Sequence, residues 1–315
     1  MVHRKTDERQ TLADKTNIPL FVFLLGILVA TSTLVGILMI HGLLKPPVDS
    51  ELKQDVPIEI VDEIVEQEPQ ESFLLIDFQP IVDNFIKNTS GNRSVLIYDL
   101  ENEQVVGEYN TTETYNTASL YKLFVVYEGY LRIERGEWLS SDPAGRSDKS
   151  ILECLDLAIR ESNSTCAESL WQMIGHEALD SIIENDFDIH DSDISRLNSN
   201  PQDILKIMIK FYQHDELTNG ELIARMKDSF LNQPTTTYNW RQGLPSGFSR
   251  ANVYNKVGWD YNPDGKYWNI YHDAAIVEFP EQNRHYIVVV MTNRVPFEKI
   301  RDFGKRFEDY FYQNQ

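Results

Sequence analysis

The chain has 315 residues, of which 42% are hydrophobic and 25% charged, which is enough for a sizeable core and for one large domain plus extras or two small domains. A formal charge of −20 and a pI near 4.7 argue against a nucleic-acid partner, whose phosphates would be repelled. Two cysteines exclude a disulfide framework and a Cys-based zinc site, and the histidines lack metal-ligand spacing, so no metal or organic cofactor is expected.

Residues 18–44 are apolar apart from Thr31, Ser32, Thr33 and His41, a run longer than the roughly 20 residues that cross a bilayer as a helix. Arg4, Lys5, Arg9 and Lys15 precede it, and only Lys45 follows closely. The positive-inside rule then predicts a cytoplasmic tail over 1–17, a single-pass signal anchor over 18–44 and an exported remainder. A cleaved signal peptide is the rival reading, but the apolar run continues well past the small-residue cluster Ala30-Thr31-Ser32. Residues 45–72 carry nine acidic residues against Lys45 and Lys53, with prolines at 46, 47, 57 and 69. Charge repulsion and proline predict an extended linker there.

The folded domain is expected over 73–315. Residues 74–87 read as an amphipathic helix kinked at Pro80. Residues 94–99 and 104–109 alternate like strands about a hairpin turn at 100–103. A helix beginning near Ser119 follows, then helices over 151–161, 166–174, 177–185, 201–212 and 221–231. Strands are predicted over 253–259, 270–279 and 285–292, and a last helix over 297–312 carries Phe303, Phe307, Tyr310 and Phe311 on one side. Strands at both ends with helices between predict one antiparallel sheet closed by the terminal segments, with an inserted helical lobe.

Chemistry concentrates around Ser119. A polar approach over 110–117 gives way there to an apolar, helix-length run, and Lys122 follows three residues later on the same helix face. A helix N-terminus favours the negative charge that an activated serine develops. Burial against Leu120, Leu123 and Phe124 would strip the Lys122 amine of some of its charge, so that it can take the serine proton. The competing reading of Ser119 is a helix N-cap. Ser-x-x-Lys alone decides nothing, since Ser50 and Lys53 repeat it in the linker.

Two further elements follow in order: Ser162-Asn163-Ser164 in a loop before a helix, and Lys256-Val257-Gly258 on a strand. With Ser119-x-x-Lys122, they make residues 73–315 resemble the class A β-lactamase and penicillin-binding serine hydrolase superfamily, whose motifs are Ser-x-x-Lys, Ser-Asp-Asn and Lys-Thr-Gly. The resemblance implies a three-layer α/β architecture with an antiparallel sheet and a helical lobe. It makes Ser119 the acylated nucleophile and Lys122 its activating partner. Ser162 becomes the proton relay to the leaving nitrogen, and Lys256 the source of positive potential. The backbone N–H groups of Ser119 and Trp259 would form the oxyanion hole, and Gly258 would let the substrate approach the strand edge. Ser164 stands where an amide normally holds the substrate. His272 falls where a carboxylate-binding cation often stands, or is simply a hydrogen-bonded histidine at a sheet edge.

The departures are specific. Asn163 and Ser164 replace Asp and Asn, and Val257 replaces a threonine that could bind a substrate carboxylate. The family's deacylating Glu-x-x-Leu-Asn is missing: aligning on Leu197-Asn198 puts Ile194 in the glutamate position, with Asp193 one residue away as the stand-in base. The favoured expectation is a membrane-anchored serine hydrolase acting on a β-lactam or a cell-wall peptide, with slow release of the acyl group. The rivals are a catalytically weak domain that binds cell-wall peptides or a protein partner, and an esterase. Cys154 and Cys166 flank the Ser162 loop, as a disulfide or as two buried thiols.

Overall fold

A computed structural model describes residues 73–233, 239–261 and 269–315. The expected tail, anchor and linker over 1–72 lie outside the described residues. Among the described residues no helix is long and apolar enough to cross a membrane.

The centre is a five-stranded antiparallel sheet in the order β2-β1-β7-β6-β5. Its strands are β1 (Asn92–Asp99), β2 (Gln104–Tyr109), β5 (Asn252–Asp260), β6 (Ile270–Phe279) and β7 (Arg284–Asn293). In β7 the run Ile287-Val288-Val289-Val290-Met291 is buried throughout, as a strand covered on both faces requires. Alternation then sorts the side chains. Ile287, Val289 and Met291 enter the core beneath the helical lobe, while Val288 and Val290 enter a second core beneath the terminal helices.

The second core is aromatic. Helix α1 (Gln79–Lys87) and the closing helix α8 (Phe297–Asn314) cover that face, the latter through Phe303, Phe307 and Phe311 at four-residue spacing. Phe307 stacks on Phe78 with ring centroids 4.3 Å apart, and Phe311 on Phe279 at 3.8 Å. The expected kinked helix over 74–87 is a correction. The helix starts at Gln79, with Pro80 in its first turn, where a missing N–H leaves no bond unmade. Phe78 instead donates its N–H to Val106 O at 2.7 Å.

The helical lobe holds α2 (Tyr121–Glu134), α3 (Ile151–Arg160), α4 (Ser164–Ile174), α5 (His176–Asn185), α6 (Pro201–Gln213) and α7 (Gly220–Leu231). Every residue of α2 from Tyr121 to Leu131 is buried, so this helix is enclosed on all sides, Lys122 and Glu128 included, and forms the lobe's axis. The two cysteines, left open by the sequence, are joined: Cys154 on α3 and Cys166 on α4 form a disulfide across the loop that carries Ser162. A short two-stranded pair, β3 (Tyr115–Asn116) with β4 (Asn198–Ser199), brings the 197–199 segment beside the approach to Ser119.

Candidate active site

Ser119 sits in a tight helical turn over Ala118–Leu120 that runs directly into α2. Ala118 holds a positive φ of 44°, costly for a residue with a Cβ, so neighbours must impose it. They do so through three bonds: Ala118 N–H to Asn116 Oδ1 at 3.0 Å, Thr117 N–H to Leu197 O at 2.7 Å, and His272 Nε2 to Asn116 O at 2.9 Å. No side chain caps the turn or α2, which removes the N-cap reading of Ser119. Its hydroxyl lies 3.1 Å from Lys122 Nζ instead.

Lys122 is fully buried, and its amine also reaches Ser162 O at 2.5 Å, Ser164 Oγ at 3.1 Å and Ser162 Oγ at 3.3 Å. Burial pulls its pKa down to about 8, against the partial opposition of Glu168. Lys256 is equally buried, with Nζ 2.9 Å from Ser162 Oγ and 2.8 Å from Val257 O. Burial first, and then the charge of Lys122, hold it well below the ordinary lysine range, while Asp273 opposes. The Ser162 hydroxyl therefore bridges two amines that disfavour each other's charge. Ser162 takes a left-handed φ of 54°, and Asn163 fixes the loop by capping α4 through Cys166 N–H at 3.0 Å. Ser164, expected at the substrate, has its hydroxyl on Lys122.

Gly258 also has a packing task. A Cβ there would lie 2.6 Å from Thr117 O and 3.0 Å from Leu120 Cγ, so glycine is what lets β5 press against the turn of Ser119. Gly258→Ala is expected to lower stability by about 1–3 kcal/mol and to displace that turn. Thermal unfolding together with Ser119 labelling checks it, and a variant unchanged in both would refute this role. Val257 turns into the aromatic core, so that position presents no side chain to the cleft. Trp259 follows on β5, an edge strand, with its ring 5.9 Å from that of Trp240.

Two site expectations are corrected. His272 is fully buried on β6, between β5 and β7 rather than at a sheet edge. Thr292 N–H donates to its Nδ1 at 2.9 Å, so the ring proton is on Nε2, facing Asn116 O. Burial takes its pKa down to about 4. It is neutral and internal, so it supplies no cation for a carboxylate; it braces the Ser119 turn. Asp193 is a cap: its Oδ1 accepts from Ser195 Oγ at 2.7 Å and Arg196 N–H at 3.2 Å, and its Oδ2 lies 3.4 Å from Arg196 Nε. It lines an open depression with Glu177, Asp180 and Glu184, and Ile194 beside it is fully buried.

Two groups near the lysines, Glu168 and Asp273, lie outside the three motifs. Glu168 accepts from Tyr121 OH at 2.8 Å, and its four-residue spacing from Ser164 was a readable signal. Asp273, fully buried, has its carboxyl pushed up to about 7 by burial while accepting from Asn255 Nδ2 and Leu244 N–H. Only the β5–β6 register places it beside Val257, next to Lys256.

Sheet, lobe and the Ser119 turn together define a β-lactamase-like α/β protein. More particularly, residues 77–310 match the β-lactamase enzyme family, and the chain belongs to it. Solved structures agree on the fold. A mutant class A β-lactamase of the last common ancestor of Gram-negative bacteria shares 16% identity at a TM-score of 0.62, over 75% of this chain and 99% of that one. A structure described as PBP-A shares 16% at 0.61, over 75% and 96%. A β-lactamase from Chitinophaga pinensis shares 16% at 0.60, over 74% and 97%. No curated protein matches the chain.

Proposed function

We propose that this protein is a membrane-anchored serine hydrolase that is acylated on Ser119 by a β-lactam or an acyl-D-alanyl-D-alanine-like amide. The observation that carries the reading is the continuous path Ser119 Oγ–Lys122 Nζ–Ser162 Oγ–Lys256 Nζ, with steps of 3.1, 3.3 and 2.9 Å. Lys122 in its neutral form takes the Ser119 proton as Oγ attacks the carbonyl carbon. When the C–N bond breaks, Ser162 gives its proton to the nitrogen and is resupplied through the lysines on either side. Each proton moved has a donor and an acceptor within this path. The backbone N–H groups of Ser119 and Trp259 are assigned to the oxyanion.

Mass spectrometry of the intact full chain after incubation with a penicillin or a fluorophosphonate tests the reading. One adduct is expected, lost in Ser119→Ala and retained in Ser50→Ala. Labelling that survives Ser119→Ala would discard the mechanism.

Export of the domain follows from the basic residues ahead of the apolar run at 18–44. The Cys154–Cys166 disulfide supports it, because such bonds persist in oxidising compartments. A C-terminal reporter active only outside the cytoplasm is expected; one active only inside would reverse the topology.

A further inference from the structure

One carboxylate bears on the lysine that activates Ser119. Glu168 lies on α4 one turn beyond Ser164, so the two side chains share a helix face, and Ser164 Oγ is 3.1 Å from Lys122 Nζ. Tyr121, buried beside Lys122 on α2, donates its hydroxyl to Glu168 Oε1 at 2.8 Å. The Tyr121 ring cannot swing away: it packs on Trp171 with centroids 5.0 Å apart, and Trp171 stacks on His176 at 4.2 Å. Lys122 Nζ lies 5.7 Å from the same ring centroid. Tyr121 thus clamps a negative charge from α4 against the neighbourhood of the amine.

The other charged groups around Lys122 do not duplicate this. Lys256 faces it from β5 with the same sign, joined through Ser162 Oγ. Asp273 on β6 bears on Lys256, and Asp193 is engaged with Ser195 and Arg196 in its own loop. Tyr121 has its own ionisation pushed far up by burial and by Glu168, so it stays a neutral donor.

We propose that Glu168 is a positioning residue for the activation of Ser119: clamped by Tyr121 on the face of α4 that also carries Ser164, its carboxylate acts on the nucleophile through the Lys122 amine. The proposal rests on the reading of Lys122 as the base. Burial disfavours the lysine's charge and Glu168 favours it, so removing the carboxylate leaves the amine neutral at lower pH.

The test is the rate of Ser119 acylation against pH, read by mass spectrometry of the full chain with a fluorophosphonate. The rate rises along the acid limb as Lys122 loses its proton. Glu168→Gln is expected to move that limb down by about one pH unit, about a tenfold faster reaction on the limb. Tyr121→Phe should move it in the same direction, and Glu168→Asp should return it toward the parent. A limb that stays in place, or a uniform change in rate with no shift, would overturn the proposal. So would unchanged acylation with slower release of the adduct, which would make Glu168 a base for release instead. A parent unlabelled at every pH would refute the hydrolase reading itself, a result distinct from any of these.

Discussion

Lys122→Met is expected to slow acylation of Ser119 by about 10²–10⁴-fold, the range a positioned base contributes. The same change should leave the fold intact or firmer. Lys122 lies in the all-buried stretch of α2, and burial already disfavours its charge, so an unbranched apolar side chain of similar length suits the site. Activity and stability should therefore part company, which separates a catalytic lysine from a structural one. The checks are the labelling rate at fixed pH and the unfolding midpoint of the same preparation. Labelling at the parent rate would remove Lys122 from the mechanism. A collapse of stability would show that its contacts to Ser162 and Ser164 hold the lobe together.

Local features of the site were legible and long-range ones were not. Ser119 and Lys122 are three residues apart across the junction of the tight turn and α2, so their local spacing already pointed to the contact seen at 3.1 Å. The strands over 270–279 and 284–293 announce themselves by long apolar runs, and their predicted bounds stand within a residue. By contrast, Ser162 reaches Lys122 across 40 residues and Lys256 across 94, distances that only the recognised motif order could bridge. Gly258 was assigned to the substrate, and His272 was left between a substrate cation and a sheet-edge histidine, because strand alternation cannot say what packs against a strand. Thr117 packs there, and both residues serve the turn of Ser119. Ser119 itself lies in a tight turn ahead of α2 rather than in its first regular turn. The bonds from Leu197 and His272 to residues 116 and 117 set that conformation, and neither partner is local in sequence.

A β-lactam is expected to leave a long-lived adduct on Ser119 with little turnover. Release needs a water activated by a base held within hydrogen-bond reach, and such a base is worth about 10²–10⁴-fold. The segment that would carry it ends beside the nucleophile, since Thr117 N–H bonds Leu197 O. Yet its glutamate position is Ile194, whose side chain is fully buried and whose N–H goes to Asp180 Oδ1 at 2.8 Å. Asp193 is one residue out of register and engaged with Ser195 and Arg196. Moving it to the acyl group would break the cap of its own turn. Asp193→Asn should accordingly leave the adduct lifetime within about threefold of the parent, with any loss appearing in loop stability, because a cap is worth about 0.5–2 kcal/mol. Mass spectrometry of the adduct over hours, beside steady-state hydrolysis of a chromogenic cephalosporin, reads both quantities. Rapid hydrolysis by the parent, abolished in Asp193→Asn, would make Asp193 the working base and the protein a β-lactamase that turns over.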